Sequence, residues 1–164
     1  MFLGIIHSAW TVFIAFYAFL TPRCGYDFYY ILYMLLLVTS WLLMQDECFV
    51  TYIYKKWSDP SYVMGSGGMD LVDAEHIFGK EAVHVGIQIL MVFTVASISM
   101  VSHRSKLAPS YVWIPFVVSF VIYLFVLRKF FHPRFYHAYI EPWNPAFRTF
   151  FLAITLWYLI LATT

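Results

Sequence analysis

Apolar residues along the chain fall into five runs, at 2–20, 28–44, 82–101, 111–127 and 149–164. None alternates with a period of two, as lipid-facing barrel strands do. Inside lipid a segment must satisfy its own amides, so the runs predict α-helices. About 20 residues cross roughly 30 Å of hydrocarbon. The fifth run has 16 residues, so it spans only with local thinning, or lies partly in the interface. The expectation is an all-α, multi-pass transmembrane helix bundle of about five spans, built as one integral membrane domain over 1–164. Its last element is a short C-terminal span or interfacial helix. Pro115 falls in the first turn of the fourth run, where its missing N–H costs least. The first run has no basic stretch before it and no small-residue cleavage site after it, so it reads as a retained span.

The segment 45–81 differs from the rest, holding seven of the nine acidic residues. Its start has helical amphipathicity. At 100° per residue Phe49, Val50, Tyr52, Ile53 and Trp57 fill an arc of about 160°, with Thr51, Tyr54 and Lys55 opposite. This predicts an interfacial helix anchored by Phe49, Ile53 and Trp57, with the Lys56 stem snorkelling out of the apolar arc. Asp59-Pro60 stops it, Gly65-Ser66-Gly67-Gly68 forms a flexible joint, and Asp70 caps a short acidic helix leading into the third span. Between the last two runs, Phe130, Phe131, Phe135, Tyr136, Tyr139 and Trp143 read as an aromatic belt at headgroup level.

Composition supports the bilayer reading: 62% of residues are apolar and 22% aromatic against 12% charged, where soluble domains have about 45–50% apolar and about 25% charged. The net charge of +1 leaves no footprint for nucleic acid. Lys55, Lys56, Lys80, Arg128, Lys129, Arg134 and Arg148 share the side of the N-terminus, against Arg23, Arg104 and Lys106 opposite, which predicts a cytosolic N-terminus. Cys24 and Cys48 flank the second run. A helix between them is about 36 Å long, beyond the reach of a disulfide.

Candidate chemistry gathers toward one face: His7, Asp46, Glu47, Cys48, Glu75, His76, Glu81, His84, His132 and His137, with His103 on the other. His7 and His84 enter their spans from the same side, a geometry open to axial haem ligation or to a hydrogen bond between helices. Glu81-Ala82-Val83-His84 puts a carboxylate and an imidazole on one helical face, as in carboxylate-bridged metal sites, and Glu47 is the third candidate ligand. Only one such tetrapeptide is present, where a di-metal site uses two. Cys48 reads as an acylation site or a packing residue ahead of a nucleophile. Gly4 and Ser8 form a small-xxx-small pair suited to close helix contact. No phosphate-binding glycine loop, Ser-His-Asp order or paired Cys-x-x-Cys is present.

One stretch resembles a known family. His7 in the first span, Trp41 near the end of the second, then Cys48-Phe49-Val50-Thr51-Tyr52-Ile53, Lys55-Lys56 and Tyr62 resemble a family of small bacterial four-helix membrane proteins of unknown function. That family shows Cys-Pro-Leu-Thr-x-Leu-Glu followed by basic residues after its second span. Here Phe49 stands for the proline and Tyr54 for the glutamate, and the likeness covers about the first 65 residues. The resemblance implies a membrane helix bundle in which the His7 and Cys48 regions are paired in space, and implies no activity.

The hydrocarbon centres carry little polarity beyond Thr39, Ser40, Gln88, Thr94 and Ser119. The leading expectation is therefore a non-enzymatic structural or accessory protein without a cofactor, with the bilayer and other membrane subunits as partners. The alternative is a metal- or haem-dependent enzyme at the cytosolic membrane face, using His7, Glu47, Glu81 and His84. A transporter is disfavoured by the lack of a charged or carbonyl-rich filter.

Overall fold

The computed structural model describes residues 2–44, 47–66, 72–124 and 141–164. Among these residues the chain is all-helical: α1 (Phe2–Leu20), α2 (Tyr26–Leu43), α3 (Phe49–Ser58), α4 (Val72–Phe78), α5 (Lys80–Ser105), α6 (Ser110–Ile122) and α7 (Asn144–Thr163), with a 3₁₀ turn at Glu141–Trp143. Three helical stretches, Tyr26–Leu43, Lys80–Ser105 and Pro145–Thr163, are long and apolar enough to cross a membrane, and Gly4–Leu20 and Ser110–Ile122 are shorter apolar helices. The aromatic belt residues 130–139, His132, His137, Asp46, Gly67, Gly68 and the Asp70 cap lie outside the described residues.

Two boundaries differ from the sequence expectation. The last helix starts at Asn144 rather than 149, because Pro145 in its first turn is preorganised for helical geometry. It therefore has 20 residues and is not short. Pro115 lies inside α6 rather than in its first turn, since the helix already begins at the Pro109 carbonyl, which accepts from Val112 and Trp113. It deprives the Tyr111 carbonyl of its usual donor.

The helices run alternately up and down. Ala18 of α1 donates its N–H to Ser97 Oγ of α5 (2.8 Å), and at the same step the Ile14 carbonyl accepts from the Tyr30 hydroxyl of α2 (3.3 Å). Both neighbours thus engage the α1 ladder at one level. The α2 residues Asp27, Ile31, Met34 and Val38 recur every three to four positions, so they form one buried stripe. It meets Ile98 and Val101 of α5 in a core completed by α6 and α7. Phe116 and Phe120 of α6 stack with Phe151 of α7, and Ser102 shares a 2.8 Å hydrogen bond with Tyr158. Burying that tyrosine is tolerated because its hydroxyl has a partner.

At the end where α1 turns into α2, Arg104 closes the bundle. Its guanidinium grips Asp27 through two bonds of 2.6 and 2.9 Å, donates to the Thr21 carbonyl (2.6 Å) and lies over the Tyr17 ring. Asp27 is buried and also accepts from Tyr17 (3.2 Å), so α1, α2 and α5 meet in one charged knot. A planar guanidinium matched to a carboxylate is the geometry in which a charge is tolerated away from water.

Candidate functional site

At the opposite end, α3 lies between the end of α2 and the short α4. Glu47, just before it, is fully buried (0% exposed). Its carboxylate accepts from Tyr62 Oη (2.6 Å), Lys55 Nζ (3.0 Å) and the Gly65 N–H (3.2 Å), and Lys55 also donates to Tyr62 (3.2 Å). Burial opposes ionisation of Glu47. The Tyr62 hydroxyl, the Gly65 amide and the Lys55 ammonium outweigh it and hold the carboxyl below its ordinary range. Burial likewise opposes the Lys55 charge, and its bonds to Glu47 and Tyr62 override that and raise it.

This knot turns α3 inside out relative to a helix of a soluble protein. Thr51 and Lys55 are buried, while Phe49, Ile53 and Trp57 are exposed, Trp57 to 86%. The amphipathic arc is where the sequence pattern puts it, but the polar side meets protein and the apolar side faces outward. Lys56 does not merely snorkel: its ammonium caps the following turn at the Pro60 and Tyr62 carbonyls (2.7 and 3.0 Å).

Cys48 is the N-cap residue of α3, and its Sγ lies 3.6 Å from His7 Nε2 of α1. The pairing of these two regions that the resemblance implies is thus present. Burial raises the thiol's pKa, but His7 and the first-turn amides of Thr51 and Val50 outweigh it, and the net shift is downward, toward thiolate. His7 also lines a cavity of about 280 Å³ between α1, α4 and α5, with Ser8, Phe78, Val83, Gly86 and Leu90 among its walls.

The residues expected to form a site are divided among separate places. Val83, Gly86, Ile87 and Leu90 form the α5 face turned toward His7. At 100° per residue His84 is rotated about 100° from Val83, and it pairs along its own helix with Gln88 (3.1 Å). The structure thus places His7 against Cys48 and His84 against Gln88. Glu81 is exposed in the first turn of α5, and Glu47 belongs to the Lys55 knot. Among the described residues no three His, Cys, Asp or Glu side chains gather as a metal site requires. Of the small-residue pair, Gly4 is buried and Ser8 lines the cavity.

Sequence reasoning missed Tyr62 as a ligand of Glu47, and the Asp27–Arg104 pair. The available signal for the latter is a lone aspartate in the first turn of one apolar helix and a lone arginine in the last turn of another. No protein-family model, curated protein or solved structure matches the chain.

Proposed function

We propose that this chain is a multi-pass membrane protein with a structural or accessory, non-enzymatic role in a membrane assembly, crossing the bilayer five times with its N-terminus in the cytosol. One observation carries the reading: Asp27 with Arg104 and Glu47 with Lys55 turn inward into two knots at opposite ends, while large apolar side chains face outward between them. Trp10 and Phe19 on α1, Ile89 and Val92 on α5, and Trp157 and Ile160 on α7 are all exposed. Such a surface suits lipid and partner helices and is costly in water. The exposed stripe of α3 continues it at the headgroup level, where Trp is favoured.

The alternative, a metal- or haem-dependent enzyme, is less favoured because its four residues lie in separate environments. Crosslinking in native membranes, followed by sizing in mild detergent, tests the accessory role. A complex with other membrane subunits is expected. A lone monomer with no crosslinked neighbour overturns it. Stoichiometric metal or a haem absorption band in protein purified without chelator would move the enzyme reading to the front.

A further inference from the structure

Three independent features meet at Cys48. It is the N-cap residue of α3 and half-buried, an imidazole is in contact with its sulfur, and that same imidazole lines an apolar cavity. The cavity runs beside α5 from Ala82 to Leu90, about 12 Å at 1.5 Å per residue. Of its polar lining groups, the Thr11 hydroxyl is already committed to the His7 carbonyl (2.8 Å). The remaining wall is chiefly aliphatic and aromatic. Cys48 touches the His7 ring that lines this slot, and a slot with hydrocarbon along its length suits a linear fatty chain attached to the thiol.

We propose that Cys48 is a fatty-acylation site that loads itself from a long-chain acyl thioester, with His7 taking up the thiol proton and part of the acyl chain lying in the α1–α4–α5 cavity. The inference rests on the membrane placement proposed above. In the step, Cys48 Sγ attacks the carbonyl carbon of the donor thioester and forms a new C–S bond. The donor's C–S bond breaks, and its sulfur leaves as a thiolate that recovers the proton held on His7. Nothing is oxidised or reduced.

Cys24 is the internal control. It contacts the Tyr17 hydroxyl (3.6 Å) at the other end of the bundle, away from His7 and the cavity it lines. Gly86 tests the cavity, because a Cβ added there meets no atom within 4 Å, so Gly86→Leu fills the slot without disturbing the backbone.

The experiment incubates the purified full-length protein in mild detergent with palmitoyl-coenzyme A or acetyl-coenzyme A and follows hydroxylamine-labile mass by intact mass spectrometry. One palmitoyl group is expected, absent in Cys48→Ser and retained in Cys24→Ser. Loading should fall about a hundredfold in His7→Ala, within the range for loss of a positioned base. Gly86→Leu should suppress palmitoylation while leaving alkylation of Cys48 by iodoacetamide unchanged, which also reports that the fold is intact. No acyl group on Cys48, equal loading of Cys24, or acetyl transfer as fast as palmitoyl transfer with Gly86→Leu inert would each overturn the proposal. Membrane insertion is read separately by resistance to alkaline carbonate extraction, so failure of acylation and failure of the membrane reading are distinguishable.

Discussion

A buried carboxylate survives only while every one of its partners stays in place, and Glu47 has three. Lys55→Met removes its counter-charge without removing bulk, and the variant should lose about 3–5 kcal/mol, the usual cost of breaking a buried pair from one side. Glu47→Gln/Lys55→Met together should recover part of that loss, measured by thermal unfolding in detergent. The pH dependence has a definite sign. Because the folded state depresses the Glu47 pKa below 4.5, its stabilisation is complete above that value and disappears as pH falls through the folded pKa. Lys55 is raised above 10.5, so its contribution holds below that value and is lost as pH rises through the folded pKa. A plateau of stability from about pH 5 to pH 10, with an acid limb that shrinks in Glu47→Gln, is the expected profile. The Asp27–Arg104 clamp makes a parallel case. Asp27→Ala and Arg104→Ala should each destabilise strongly, and the double variant by less than their sum, since both remove the same interaction.

At the scale of the element, α3 shows what periodicity can and cannot tell. The spacing of Phe49, Ile53 and Trp57 marked one face as apolar, and that face is the one exposed. Periodicity separates two faces of a helix but does not say which one meets protein, because that depends on the solvent. In water the apolar side turns inward, while beside a bilayer it is free to turn out and the polar side can dock. Thr51 and Lys55 are the buried side here, as the membrane placement proposed above calls for. Helix existence was legible along the whole described chain, and the ends were less so. Pro145 hid the true start of α7, since a proline reads as a breaker until its place in the first turn is recognised. For His7 the pattern gave depth but not azimuth, so its contact with Cys48 came from the resemblance rather than from the helix register. If the outward face of α3 lies in lipid, Phe49→Ser/Ile53→Ser/Trp57→Ser should leave the Glu47 knot intact. A variant keeping Trp57 as its only tryptophan should show emission quenched by brominated lipid in reconstituted vesicles. Emission of a fully hydrated indole, insensitive to bromine, would place α3 in water instead.

For the molecule as a whole, the two charged knots lie at opposite ends of a bundle whose five apolar helices alternate in direction, and this constrains how it can sit in a membrane. Arg104 ties the α1–α2 turn to the end of α5, and Lys55 ties α3 to the segment between α2 and α4. Neither tie can be moved into hydrocarbon without heavy cost, so the five-span placement proposed above puts the two ends at opposite interfaces with the apolar lengths between. On that placement the seven-to-three bias of Lys and Arg predicts a cytosolic N-terminus. Single cysteines introduced at Ser61 and at Lys106, in a background with Cys24 and Cys48 replaced, sample the two ends. In intact cells Lys106→Cys should react with a membrane-impermeant maleimide, and Ser61→Cys only after permeabilisation. A cysteine at Thr164 should behave like the one at position 106, because α7 runs in the same direction as α5. Labelling of Thr164→Cys together with Ser61→Cys would mean that α7 does not cross, leaving four spans. Labelling of Ser61→Cys and Lys106→Cys from the same side would break the alternation and with it the five-span topology. The reverse pattern at all three positions would keep the bundle and invert it, overturning the cytosolic N-terminus.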